Sequence, residues 1–137
     1  MKYVLDTNTL SAVMRSDPVV LSRLRGSNRR DVVVPQPVLA EVAYGIARLP
    51  KSRRRQLLEE RFEVLAGTFD RIDWTDAVSD TFGRIKASLE RKGQRIEDFD
   101  AAIAAHALAN DATLVTGNVK HMAGISDLLL EDWLVPK

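Results

Sequence analysis

The chain contains no cysteine. That removes disulfide bonds and thiolate metal ligation from the chemistry open to it. Histidine is scarce as well: His106 and His121 are the only two, too few for a histidine-rich zinc centre without carboxylate help. An excess of one charge is also missing, since 20 Lys and Arg stand against 19 Asp and Glu. The overall balance therefore argues neither for nor against a nucleic-acid partner, and only the location of the charges can. No apolar run approaches the length of a membrane span, and no signal-peptide pattern precedes the first apolar segment. A cytoplasmic protein without membrane contact is expected. Internal repeats, low-complexity tracts and linkers are lacking too. A length of 137 residues suits one domain, 1–137, with a proper core.

What the sequence does hold is an alternation of short apolar runs with helical patterns. Tyr3-Val4-Leu5 is rich in strand formers and stops at Asp6-Thr7-Asn8. A strand so short and apolar on both faces belongs in the middle of a helix-covered sheet. Thr9 to Arg15 suits a short helix, and Asp17-Pro18 offers a cap with proline at the first helical position for a second, ending near Gly26. After a basic loop from Ser27 to Arg30, Asp31 to Pro35 reads as a second buried strand. Pro37 opens a helix to about Leu49, with Val38, Leu39, Val42, Ile46 and Leu49 on one face. A longer helix is expected from about Ser52 to Ala66, with Gly67 as its stop. Arg71 to Trp74 fits an edge strand. Thr75 or Asp76 caps a helix carrying Val78, Phe82, Ile85 and Leu89, with Gly93 just past its end. A further helix covers about Asp100 to Asn110, Thr113 to Thr116 fits a fourth strand, and Leu128 to Leu130 a weaker fifth. Such alternation specifies an α/β fold: a single-domain α/β/α sandwich on a short parallel sheet, Rossmann-like in outline.

Five residues carry the chemistry. Asp6 ends the first strand, where it can cap the next helix or serve as a functional carboxylate. Glu41 lies in the first turns of the helix after strand two. Asp98 and Asp100 open the Ala-rich helix, where acids favour the helix dipole. Asn118 lies two residues beyond strand four, in a turn-forming role. Each has an ordinary structural use. Right-handed crossovers nevertheless carry Asp6, Glu41, Asp100 and Asn118 to one rim of the sheet. If strands one and four are neighbours, that rim is the crevice where strand order reverses. Carboxylates gathered there repel one another unless protonated or neutralised by a cation. Hard oxygen donors without soft ones suit Mg²⁺ or Mn²⁺, ions that commonly act on phosphoryl groups. This argument leaves phosphodiester and phosphomonoester chemistry both open.

Val4-Leu5-Asp6-Thr7-Asn8, Glu41 after Pro35-Gln36-Pro37, Asp100 ahead of Ala101-Ala102-Ile103-Ala104-Ala105-His106-Ala107-Leu108, and Leu114-Val115-Thr116-Gly117-Asn118 together resemble the PIN-domain family. More narrowly, they resemble the VapC-type toxin ribonucleases of prokaryotic toxin–antitoxin pairs, over essentially the full length. The resemblance implies a PIN-like fold with Asp6, Glu41 and Asp100 as metal-binding catalytic acids. Asn118 would stand at the family's fourth, often acidic, position, and Asp98 would be a neighbouring or alternative ligand. It further implies Mg²⁺- or Mn²⁺-dependent endonucleolytic cleavage of structured RNA, transfer RNA among the targets, together with a cognate antitoxin and a homodimer. The apolar surfaces of the first two helices and of the long Ser52 helix are candidates for an antitoxin groove.

An enzyme of this kind needs cations to hold phosphates. Arg15, the Arg25 to Arg30 loop and the Arg84, Lys86, Arg91, Lys92 and Arg95 series are candidates. The densest run is Lys51-Ser52-Arg53-Arg54-Arg55, where Arg53, Arg54 and Arg55 oppose the dipole of the helix they begin. His106 reads as structural, His121 carries no assignment, and Trp74 and Trp133 read as packing residues. Two rival functions stand beside the nuclease. One is a haloacid-dehalogenase-type phosphatase, which would need an aspartate where Asn8 stands. The other is a catalytically inactive PIN-like module that binds a partner.

Overall fold

The computed structural model describes residues 1–136, so Lys137 of the expected 1–137 domain lies outside the described residues. Five strands form one all-parallel sheet: β1 (Tyr3–Leu5), β2 (Val32–Pro35), β3 (Asp70–Ile72), β4 (Thr113–Val115) and β5 (Leu130–Glu131), in the order β3-β2-β1-β4-β5. The helices are α1 (Thr7–Met14), α2 (Pro18–Arg25), α3 (Gln36–Ala47), α4 (Arg53–Thr68), α5 (Asp76–Arg91), α6 (Asp98–Ala109) and the short α7 (Val119–Met122). The chain first builds outward from β1 through β2 to β3, then returns to place β4 on the other side of β1. Strand order therefore reverses between β1 and β4.

The strands at the centre are short because they need only be long enough to be buried. Val4, Leu5, Val32, Leu114 and Val115 are wholly inaccessible, which requires helices on both faces of the sheet. On one side α1 packs against α2, α3 and α4; elsewhere α5 packs along α6, and α6 lies against β1 and β4. The α/β/α layering expected from the sequence is present. No helix is long and apolar enough to cross a membrane among the described residues.

Several boundaries differ from the sequence expectation, each for a local reason. β3 is Asp70–Ile72 rather than Arg71 to Trp74, because its ladder is read from β2 and stops at the pair Pro35 and Ile72. Proline has no N–H with which to extend the pairing. Gly67 does not stop α4, which runs on to Thr68 and ends at Phe69, where a buried ring commits the chain to the sheet. α6 begins two residues earlier than expected, so Asp98 and Asp100 share its first turn. α7 was not foreseen, and β5 is shifted to Leu130–Glu131 by its register against Leu114 and Val115. Gly93 sits just past α5 with φ of +71°, the left-handed conformation that glycine adopts without strain.

Trp133 is a packing residue as expected, buried against Tyr3 with ring centroids 5.2 Å apart and its indole N–H donating to Glu131. Trp74 is half exposed and rests edge-on to His106. His106 is structural. It is fully buried, its Nδ1–H donates to the Ala102 carbonyl at 2.7 Å, and burial lowers its proton affinity.

Leu114→Ala, in the inaccessible centre of β4, should lower unfolding stability by about 2–5 kcal/mol. Val64→Ala, on the solvent side of α4 at 66% exposure, should change it by less than about 0.5 kcal/mol. Urea titrations of both variants check the assignment of core and surface, and equal losses would contradict it.

Candidate active site

Asp6 is held at the strand reversal by two backbone-directed bonds. Its N–H donates to the Val115 carbonyl of β4 at 3.0 Å, and its Oδ1 accepts from the Thr9 N–H at 2.8 Å. The Thr9 hydroxyl returns to the same Val115 carbonyl at 3.2 Å. Asp6 is thus the N-cap of α1 and a nearly buried carboxylate at once. The two readings left open by the sequence are compatible, because a cap occupies one carboxylate oxygen and leaves the other.

Thr7, the next residue, donates its hydroxyl to Oε1 of Glu41 at 2.5 Å. This bond ties the start of α1 to the second turn of α3 and orients a glutamate that would otherwise swing freely. Asp100 reaches the same place from the first turn of α6. Burial pushes its carboxyl above the usual carboxylate range, and the charges of Glu41, Asp6 and Glu97 push the same way, while His121 opposes them. The three acids singled out in the sequence therefore lie close enough to feel one another. They line or border a hollow of about 1140 Å³ whose wall includes Glu41, Lys86, Arg95, Asp98, Asp100 and His121. That is larger than a typical small-molecule cleft, as a polymer substrate requires. Asp6 is not part of that wall, yet its charge is among those that raise Asp100.

The other sequence candidates are placed differently. Asp98 is not one of the charges that bear on Asp100. Its Oδ1 accepts from Lys86 Nζ at 2.6 Å, so its carboxylate is engaged by a cation of the protein. Asn118 is exposed at the head of α7, with its N–H donating to the buried Thr116 hydroxyl at 2.9 Å. Arg53, Arg54 and Arg55 start α4 and none lines the hollow. Arg55 is already occupied by Glu59 and by the Leu49 carbonyl. Two residues were missed. Thr7 clamps Glu41, and His121 places Nε2 at 3.8 Å from Asp100 Oδ2. The signal for His121 was its spacing, three residues past Asn118, which brings it back to the rim once a turn of helix forms there.

In donor chemistry the cluster fits a hard divalent cation. Every candidate ligand is a carboxylate or amide oxygen, and the Asp100 carboxyl, raised by burial and then by the neighbouring acids, is a group that a cation would favour in its charged form. Among the described residues no three His, Asp or Glu side chains are drawn into a ready-made shell.

Residues 3–123 match the family model of the PIN domain. The chain is 32% identical to Ribonuclease VapC2 of Rickettsia felis, over 97% of this chain and 98% of that protein. It is 29% identical to the tRNA(fMet)-specific endonuclease VapC of Shigella flexneri, over 97% and 98% of the two. Among solved structures it is similar to VapBC2 from Rickettsia felis bound to a DNA fragment from their promoter, with a TM-score of 0.85 and 30% identity over 97% of this chain and 99% of that one.

The raised Asp100 carboxyl binds protons more readily in the fold than in the unfolded chain. Its contribution therefore favours folding below the unfolded value, near pH 4, and is lost as pH rises toward the folded value. In EDTA, Asp100→Asn should make the protein more stable than wild type at pH 7, with the gap closing by about pH 3. Denaturation midpoints at the two pH values check this. Identical midpoints at pH 7 would mean that Asp100 is under no electrostatic pressure.

Proposed function

The chain belongs to the PIN-domain family and groups with its VapC members, and on that premise we propose that it is a metal-dependent endoribonuclease. It acts in the cytoplasm as the toxin of a toxin–antitoxin pair. The observation that carries this reading is the gathering of Asp6, Glu41 and Asp100 at the point of strand reversal, where burial first and then the charges of Glu41 and Asp6 raise the Asp100 carboxyl. An anionic crevice at that point needs a cation to work on an anionic polymer.

Mg²⁺ or Mn²⁺ would be held by Asp6, Glu41 and Asp100, with Asn118 as a weaker, neutral ligand. Such an ion supplies an activated water and stabilises charge on the leaving oxygen of a phosphodiester. The residues of the chain do the positioning. Asp6 is immobilised by its pairing to β4 and by its cap. Glu41 is aimed by Thr7. Asp100, whose carboxyl is raised above the usual range by burial, would contribute a third oxygen donor, and His121 places Nε2 near its Oδ2. Asp98 is left out of this set because its charge is not among those that bear on Asp100.

Structured RNA is read largely by shape, and transfer RNA is the first substrate to test, in keeping with the name of the Shigella flexneri relative. Arg53 and Arg54 would meet RNA only outside the hollow. For the antitoxin we assign the apolar groove between α1 and α4, where Val13, Met14, Leu57 and Val64 meet. Leu57 and Val64 are both exposed, and none of the 16 residues of α4 is fully buried. For a second copy we assign the apolar hollow shared by Ala40, Trp74 and Phe99.

Purified wild type and Asp6→Asn are incubated with total cellular RNA in Mg²⁺, Mn²⁺ or EDTA. Asparagine caps a helix as well as aspartate does, so the variant should fold. Wild type should release discrete fragments only with metal, and Asp6→Asn should be slower by on the order of 100-fold or more. Full cleavage by folded Asp6→Asn protein would remove this site from the reaction. Absence of cleavage by wild type in every condition would favour the binding module. Metal-dependent release of phosphate from small phosphoesters, with RNA intact, would favour the phosphatase.

A further inference from the structure

Lys86 stands on α5 where that helix packs along α6. Its Nζ donates to Asp98 Oδ1 at 2.6 Å and lies 6.0 Å from the centre of the Phe82 ring. Its side chain is 32% exposed and lines the hollow together with Glu41, Asp100 and His121. A polyanion entering this hollow meets like charge from the acids that are needed for chemistry. Something on the wall has to offset that repulsion. Lys86 is the cation held in place there, by the ring beneath it and the carboxylate beside it. The carboxylate belongs to Asp98, whose side chain is 69% exposed. An ion pair so open to water is weak and easily exchanged, and a phosphate oxygen offers the same kind of acceptor.

We propose that Lys86 binds an RNA phosphate beside the acid centre, and that Asp98 is the internal competitor which occupies Lys86 until the phosphate displaces it. Asp98 is then a governor of substrate affinity. Its placement in the first turn of α6, two residues from Asp100, couples the release of Lys86 to the helix that carries a catalytic acid. This assignment rests on the ribonuclease reading, and it makes a prediction of opposite sign from a ligand role. A metal ligand changed to its amide loses activity, whereas a competitor changed to its amide improves binding.

The test uses the full chain and end-labelled bulk transfer RNA, titrated in EDTA over a range of salt, followed by cleavage in Mg²⁺. Lys86→Ala should raise Kd about tenfold and reduce the salt slope by about 0.7–0.9, the value for one lost phosphate contact. Lys86→Arg should retain most of the affinity. Asp98→Asn should lower Kd several-fold while metal-dependent cleavage persists, and this gain should vanish in the Lys86→Ala background. An unchanged salt slope in Lys86→Ala overturns the proposal. So does loss of cleavage in Asp98→Asn, which would return Asp98 to the metal set. If wild type binds RNA but does not cut it, the nuclease reading falls and the slopes still decide Lys86. If wild type binds no RNA, both fall.

Discussion

A central strand of three residues must pair on both sides and end where the chemistry begins. β1 exchanges hydrogen bonds with β2 and with β4, and the Asp6 N–H continues the pairing to Val115 beyond the last strand residue. The first acid of the site is therefore part of the ladder rather than an ornament on a loop. The Val115 carbonyl also takes the Thr9 hydroxyl, so the same atom that ends β4 fastens the start of α1. Moving Asp6 would mean breaking the cap, the ladder and this side-chain bond together. A carboxylate so placed loses little freedom when it takes up a ligand, which is the structural requirement for a pre-organised site.

Gathering acids at this point opposes folding, and the neighbouring residues show how the opposition is contained. Glu41 is given a hydroxyl donor by Thr7. Asp100 is given an imidazole at 3.8 Å. Asp98 is given an ammonium. None of these partners is buried enough to lock its acid permanently, so each leaves the group available to a stronger cation or to an incoming anion. The arrangement is poised because its internal ion pairs are weak ones in contact with water.

The sheet and three of its acids were readable from the sequence because they follow from short-range rules. Apolar runs bounded by Asp, Pro and Gly mark the strands, and right-handed crossovers bring the carboxyl ends of those strands to one rim. The partners of the acids were not readable, because each is a contact between distant segments. Thr7 and Glu41 are 34 residues apart, and Lys86 and Asp98 are 12 apart across a helix junction. His121 needed the four-residue helix α7, too short to leave a periodic signature. Asp98 and Asp100 look alike in sequence and differ only in which neighbour each meets after α6 docks on α5. The basic run at Arg53 to Arg55 drew attention by density, yet it heads a helix away from the hollow.

The same separation shapes the outer surfaces. A chain with 20 basic and 19 acidic side chains carries almost no net charge, so on the proposed ribonuclease reading its hold on RNA would come from segregation of the two signs. Acids dominate the floor of the hollow, with Lys86 and Arg95 on its wall, and a basic run lies at the head of α4. A small phosphoester entering the hollow would meet only the local, mostly negative field. A long polyanion can cross the hollow and reach basic residues outside it as well, gaining counterion release at each contact. Length in the substrate thus supplies the attraction that the acid centre itself withholds. α4 adds a second consideration, since this 16-residue helix has no fully buried residue and is held to the core by the partly buried Leu58, Phe62 and Leu65, leaving Leu57 and Val64 exposed. A partner that covers Leu57 and Val64 would gain apolar burial there and steady the helix whose first turn carries the basic run.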